Sequence, residues 1–573
     1  MSNDPRGMKR GLANYGDAGF SLFLRKAFIK AMGYSDSALE RPIIGITNTF
    51  SGYNACHRSV PDIIDAVKRG VMLAGGLPIE FPVVSIHEAF SNPTSMFLRN
   101  LMAMDVEEMV RAQPMDAVVL IGGCDKTVPA LLMGAASVDI PAILTVTGPM
   151  ITGSHKGERL GACTDCRRLW GQHRAGTIDE AEIEDIGNKL APGPGTCMVM
   201  GTASTMALVS EAMGMMLPGG AAIPAVHADR LRHAEATGER AVAIAGETLR
   251  PSQIMTKRSM TNAMRVLQAI GGSTNGVVHL AAIAGRLGFE FDLEELDKLG
   301  AETPVLVDLK PSGQHYMEDL FKAGGLTAVL REIGDLIDGD CATVTGKTLS
   351  ENLAAQPATW QNEVVRTVVN PIHRGGGIRL LRGNLAPNGA IIKQAAATPA
   401  LLKHTGRAVV FKSLVDMAER IDSADLDVKA DDILVLQNAG PKGAPGMPEA
   451  GYIPIPRKLA AAGVKDMVRI SDARMSGTAF GAIVLHISPE AAVGGPLGLV
   501  RDGDTVRLDV EHGVIELLVD DAELDLRRSE WSPPNHVHAE RGYAKLYFNE
   551  VLQAEDGCDF NFLRAKPYSK GDE

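Results

Sequence analysis

In the stretch IGGCDKTVPA, residues 121–130, Cys124, Asp125 and Lys126 stand side by side after two glycines. A thiolate is a soft ligand and a carboxylate a hard one, and one metal ion has little use for both. The triplet therefore predicts two different inorganic centres meeting at one loop. Cys56 in SGYNACHRSVP and Cys197 in GPGTCMVMGTAS share the same local pattern. Each cysteine lies in a loop just ahead of a predicted helix start, marked by Ser59 and Pro61, by Thr127 and Pro129, and by Thr202. A helix N-terminus favours an anion and lowers a thiol pKa. Three thiolates suit an iron–sulfur cluster with one iron incompletely bound by protein. An open metal position can act as a Lewis acid rather than only carry electrons. Spacing alone is equally compatible with three unconnected buried cysteines, because a free cysteine packs as a small hydrophobe.

The hard ligands come from separate stretches. Glu88 closes a predicted strand in SIHEAFS, and Glu449 lies in the Gly- and Pro-rich loop GPKGAPGMPEAG. Oxygen ligands on several loops suit Mg²⁺, which takes few carboxylates and keeps waters. A protonated lysine cannot bind a cation, but the carbamate it forms with CO₂ can. Taken one at a time, Asp125–Lys126 reads as a surface pair and Glu88 and Glu449 as solvated acids. Cys163 and Cys166 form the one CxxC, and a single CxxC lacks the second pair of a structural zinc site. Cys341 and Cys558 have no metal-like neighbours and read as structural, and His536 and His538 read as a surface loop after SPPN.

Something must bring these loops together. RPIIGITNTF (41–50), EFPVVSIHEAF (80–90), DAVVLIGG (116–123) and PAILTVTG (141–148) read as buried strands ending in polar or glycine-rich loops. Between the first two, Ile63, Ile64, Val67 and Val71 recur at helical spacing over 59–73. Ser59 is placed to cap that helix and Pro61 lies in its first turn. After Cys197, Met206, Val209, Met213 and Met216 mark the buried face of another helix. Strand–helix alternation implies a largely parallel sheet covered by helices, with ligands beyond the carboxyl ends of the strands. The pattern changes near residue 365. Turn signals and short alternating runs such as DTVRLDVEHGVIELLVDD (504–521) replace long amphipathic helices. The expected architecture is α/β: an N-terminal parallel-sheet domain over 1–365 and a smaller β-rich domain over 366–573.

Bulk properties narrow the function classes. A chain of 573 residues is too long for one ordinary core. A net charge of −12 with no basic stripe argues against nucleic-acid binding. The first 20 residues hold no signal-type apolar run, and no stretch matches a membrane span, so the expected compartment is the cytoplasm. There the 7 cysteines stay reduced, which favours metal binding or catalysis over disulfides.

Seven motifs, NACHRS, GGCDKTVPA, GPGTC, GGSTN (271–275), RGNLAPNGA (382–390), GPKGAPGMPE (440–449) and DARMSGT (472–478), together resemble the IlvD/Edd dehydratases. That family contains dihydroxyacid, 6-phosphogluconate and aldonate dehydratases. The resemblance runs from about residue 40 to 480, in the family's order. It implies a cluster held by Cys56, Cys124 and Cys197. It implies Mg²⁺ held by Glu88, Asp125, carbamylated Lys126 and Glu449. It also implies that Ser476 is the base, acting as an alkoxide, and that Thr478 contacts substrate. The implied fold is an N-terminal α/β domain and a C-terminal barrel-like domain with the site between them, in a homodimer or homotetramer. GACTDCRRLW (161–170) is similar to a segment of the aldonate branch, whose cluster is typically [2Fe–2S], whereas other branches carry [4Fe–4S].

The expected reaction is loss of water from a 2,3-dihydroxy carboxylic acid, a pentonate or hexonate, giving the 2-keto-3-deoxy acid. The alternative within the family is dihydroxyacid dehydratase of branched-chain amino-acid synthesis. An iron–sulfur electron carrier leaves Glu88, Asp125, Lys126 and Glu449 without a role, and such carriers normally use four cysteines.

Overall fold

The structure, a computed structural model, describes residues 6–247, 249–534 and 539–566. His536 and His538 lie outside them. Four strands, β1 (Ile43–Asn48), β2 (Leu77–Pro82), β3 (Ala117–Gly122) and β4 (Ala142–Val146), form one parallel sheet in the order β2-β1-β3-β4. Ile43 faces Leu77, Ile44 faces Ala117, and Val118 faces Ala142. Every residue of β3 and β4 is buried. Their unbroken apolar runs are what a sheet covered on both faces demands. The helix Val60–Leu73 lays Ile63, Ile64, Val67 and Val71 in the core, as its spacing predicts. A hairpin of β5 (Gly153–His155) and β6 (Glu158–Leu160) leads to the helix Thr164–Arg174, which begins inside the CTDC segment.

Three local expectations differ from the structure. β2 ends at Pro82, so Glu88 stands in a short 3₁₀ turn, Glu88–Phe90, and not at a strand end. Pro82 and the residues after it have no neighbouring strand to pair with beyond Asn48, the last residue of β1. Ser59 makes no side-chain cap, because its backbone is already helical there. The helix Thr202–Ala212 stops before Met213 and Met216, and all its residues are buried, so it has no single buried face.

The C-terminal part closes into an eight-stranded barrel. Its strands are β7 (Arg379–Gly383), β8 (Ala386–Ile392), β9 (Lys403–Phe411), β10 (Ile433–Leu436), β11 (Arg469–Ser471), β12 (Ile483–Ser488), β13 (Thr505–Asp509) and β14 (Val514–Leu517), in the order β10-β11-β12-β8-β7-β14-β13-β9. The run 504–521 is the β13–β14 hairpin. Alternation with period two sorts side chains between two cores. Ala408, Val410, Ile433 and Val435 join one, while Val409, Phe411, Leu434 and Leu436 join another under Ile421, Leu426 and Ile453. β9, β10, β11 and β12 are successive parallel neighbours. The connections after β10 and β11 therefore leave the same end of the barrel, and they carry Glu449 and Ser476.

Candidate active site

The thiols gather beyond the carboxyl ends of β1 and β3. Cys56 lies in the 3₁₀ turn Ala55–His57 and Cys124 directly follows β3. Their sulfurs and a ring nitrogen of His87 all lie within 4.8 Å of one another. His57 ties the two loops together. Its Nε2 accepts the backbone N–H groups of Gly123 and Cys124, both at 3.1 Å, and its Nδ1 donates to the Thr49 carbonyl at 2.8 Å. Two donors on Nε2 require a lone pair there, so the ring is neutral with its proton on Nδ1. Burial agrees, pushing the His57 pKa down to about 4. Gly123 is required by close approach: a Cβ would lie 1.8 Å from the Thr147 hydroxyl.

Cys197 arrives on a separate loop, anchored where Thr196 exchanges backbone bonds with Gly148 and Met150 at 2.9 Å each. It stands outside the 4.8 Å group of Cys56, Cys124 and His87. Its sulfur lies 4.0 Å from that of Cys163, so the CTDC segment joins the thiol pocket. The hydrogen bond that Cys56 donates to Cys124, then burial, raises the Cys56 pKa, and the bond with Cys163 does the same for Cys197. The hydrogen bond from Cys166 lowers that of Cys163. Metal binding here would release protons from Cys56 and Cys197. Cys341 and Cys558 are buried elsewhere.

Beside the thiols, carboxylate oxygens of Glu88, Asp125 and Glu449 lie within 4.8 Å of one another. The Lys126 amine points into their midst, 2.5 Å from Asp125, 3.2 Å from Glu88 and 3.5 Å from Glu449. Asp125–Lys126 is no surface pair, for Lys126 is fully buried. Arg474, also buried, spans Glu449 at 2.6 Å and Glu88 at 3.1 Å. Burial pushes the Glu88 pKa up, but Arg474, Lys126 and the Ser95 and Thr94 hydroxyls hold it well below the carboxylate range. Burial and Arg474 push Lys126 down, yet the three carboxylates win and raise it. The Glu449 loop is held by Glu490, which accepts the Lys442 and Gly443 N–H groups at 2.9 and 2.8 Å.

Ser476 is the one residue of 471–479 that is not buried. Its hydroxyl lies 2.8 Å from that of Thr478 and 3.4 Å from the Thr478 N–H. The turn is threaded through the N-terminal part of the chain. A Cβ on Gly477 would lie 2.5 Å from the Ser273 side chain and 3.1 Å from the Thr202 nitrogen. Asn275 donates to the Met475 carbonyl at 3.1 Å, and Thr164 donates to the Thr478 carbonyl at 2.8 Å. Thr202 and Asn275 each open a helix, so two helix N-termini face the turn and favour negative charge on it.

The structure thus brings Glu88, Asp125, Lys126 and Glu449 together, places Cys56 with Cys124, and sets Cys197 beside Cys163. Sequence reasoning missed His57, His87, Arg474, Thr164 and Asn275. All five stand in stretches that were read for another residue: His57 in NACHRS, His87 in SIHEAFS, Arg474 in DARMSGT, Asn275 in GGSTN and Thr164 in GACTDCRRLW.

Known proteins of similar sequence show the family of the chain. The model of the dihydroxy-acid/6-phosphogluconate dehydratase N-terminal domain matches residues 41–352, and that of the C-terminal domain matches 363–558. An L-arabonate dehydratase of Azospirillum brasilense is 48% identical over 94% of each chain. A 6-deoxy-6-sulfo-D-gluconate dehydratase of Pseudomonas putida is 45% identical over 92% of this chain and 91% of its own. A dihydroxy-acid dehydratase of Syntrophobacter fumaroxidans is 40% identical over 93% and 96%. Among the described residues no helix is long and apolar enough to cross a membrane. The chain belongs to the dihydroxy-acid/6-phosphogluconate dehydratase family and is a hydro-lyase.

Proposed function

We propose that this enzyme dehydrates an aldonate, a pentonate or hexonate, to the 2-keto-3-deoxy acid. The observation that carries the reading is the pairing of a thiol group with a three-carboxylate cluster that Arg474, two residues before Ser476, ties to the serine turn. Higher identity to the sugar-acid dehydratases than to the dihydroxy-acid dehydratase supports the choice of substrate. Cys56, Cys124 and Cys197 would hold an iron–sulfur cluster of the [2Fe–2S] type, and Glu88, Asp125, carbamylated Lys126 and Glu449 would hold Mg²⁺. When bound, these groups supply Lewis acidity to the carboxylate and hydroxyls of the substrate.

The residues fit the hard cation by charge. Three carboxylates against Lys126 and Arg474 leave one net negative charge. Turning the ammonium into a carbamate and adding a divalent cation leaves the same net charge. Ser476 removes the C2 proton. A serine needs help to ionise, and here the Thr478 hydroxyl and N–H and two helix N-termini supply it. Thr478 also contacts substrate. Hydroxide leaves C3, and the enol tautomerises to the keto acid. The same reading divides the chain near residue 365 and gives a cytoplasmic homodimer or homotetramer. Such an assembly would cover the exposed Phe20, Phe23, Phe28 and Met32.

The test is a substrate panel on anaerobically purified protein, with 2-keto acid detection: gluconate, arabinonate, xylonate, galactonate, 6-phosphogluconate and dihydroxyisovalerate. Turnover of an aldonate is expected, and turnover of dihydroxyisovalerate alone would overturn the substrate reading. Ser476→Ala should keep iron and Mg²⁺ but lose turnover. Normal turnover by that variant removes Ser476 as the base.

A further inference from the structure

Lys393 directly follows β8 and is fully buried. Among the described residues no carboxylate comes within ion-pair distance of its amine. Its one hydrogen-bond partner there is the carbonyl of Gly477, at 3.0 Å. Gly477 is the residue between Ser476 and Thr478. A buried amine with a single carbonyl partner is an expensive way to fill space, since desolvation is only partly compensated. Methionine would fill the same volume without that cost. Burial pushes the Lys393 pKa down to about 7, in keeping with an amine that no anion supports.

The turn explains the lysine. Three carbonyls around Ser476 each accept a side-chain donor from a different part of the chain: Met475 from Asn275, Gly477 from Lys393 and Thr478 from Thr164. Pinning the carbonyls fixes the planes of the peptides that carry them. Those planes aim the Thr478 N–H at the Ser476 oxygen. Asn275 and Thr164 pull from the N-terminal part, and Lys393 pulls from the barrel. Gly477 is meanwhile pressed against Ser273 and Thr202. Without Lys393 the middle carbonyl is free to rotate, and with it the Gly477–Thr478 peptide whose N–H is aimed at the serine.

We propose that Lys393 is a positioning residue for the reaction, fixing the Ser476 turn through the Gly477 carbonyl without touching substrate. This inference rests on Ser476 being the base. The experiment compares Lys393→Met, which removes the donor, with Lys393→Gln, which keeps an N–H donor and drops the ionisable amine. Ser476→Ala is measured alongside, all as anaerobically prepared full-length protein with iron and Mg²⁺ contents determined. Lys393→Met should lose kcat on the order of 10²-fold, the cost of a misplacement near 1 Å. KM and both metal contents should stay within about twofold, and Lys393→Gln should recover most of kcat. Deuterium exchange of the peptide spanning 472–482 should rise in Lys393→Met and not in Lys393→Gln. Wild-type kcat in Lys393→Met, or equal loss in both folded variants, overturns the proposal. If Lys393→Met does not fold, Lys393→Gln decides alone: near-normal kcat sustains it and a 10²-fold loss sinks it. An active Ser476→Ala would instead strike the base assignment, a separate result.

Discussion

Replacing His57 with leucine should free the Cys124 loop without removing any cysteine from the chain. The substitution removes the acceptor of two buried backbone N–H groups, on Gly123 and Cys124, and the donor to the Thr49 carbonyl. Each buried group left unpaired costs about 1–3 kcal/mol, so the three together cost roughly 3–9 kcal/mol before relaxation. That is comparable with the whole stability of a typical domain, about 5–15 kcal/mol. Relaxation has little room, because Gly123 is packed against Thr147 and β3 is buried on both faces. The cheapest escape is opening of the 123–126 loop toward the site, which carries Cys124 with it. Even the lower bound, about 3 kcal/mol, corresponds to roughly 10²-fold in an opening equilibrium. Iron release into excess chelator from anaerobically prepared protein, followed by loss of visible absorbance, should accelerate by that factor. The urea midpoint should fall as well. His57→Gln, which can accept with its carbonyl and donate with its amide, should recover part of both. Wild-type iron-release rate and an unmoved midpoint in His57→Leu would refute the claim that His57 couples the two cysteine loops.

Glu449→Gln should weaken Mg²⁺ binding, measured by calorimetry, by roughly 10²-fold or more, since losing a ligand exceeds the 10–100-fold of losing an outer partner. In the unsubstituted protein, Mg²⁺ affinity should rise with bicarbonate, because ammonium-to-carbamate conversion must accompany the cation; bicarbonate-independent binding contradicts the charge argument. His233 is half-buried and neutral, its pKa pushed to about 4 by desolvation and by Arg230 against the pull of the Leu217 carbonyl. Between about pH 6.5 and 4 the unfolded chain binds a proton at this position that the folded chain refuses, so stability falls as pH falls. His233→Gln should therefore flatten urea-unfolding free energy against pH in that window by about 1.4 kcal/mol per pH unit. An unchanged slope would show that His233 titrates normally in the folded protein.

The sheet was legible because two-sided burial forces unbroken apolar runs, which AVVLIG and AILTV display. The barrel was legible only as β-rich. Closure depends on which strand pairs with which, and β8 meeting β12 across more than 90 residues leaves no trace in local pattern. The site divides along the same line. Residue types suited to a metal are written into the chain, so Cys56, Cys124, Glu88, Asp125, Lys126 and Glu449 could be named from it as candidates. The groups that hold them act through backbone atoms or across the seam, and their side-chain types say nothing of that task. His57 works by accepting two amide protons, Arg474 by spanning two carboxylates from different parts of the chain, and Asn275 by holding a carbonyl 200 residues away. Cys163 is the converse case. CxxC invites a reading as a self-contained pair, but the Cys163 sulfur also meets that of Cys197, from another loop, at 4.0 Å, while Cys166 turns back to the Cys163 carbonyl. A spacing rule describes what two residues can do for each other, whereas this site is built from residues whose partners lie on other loops. Its chemistry is therefore fixed by where β1, β3, β10 and β11 end, and substitutions that move those ends should matter as much as substitutions of the ligands.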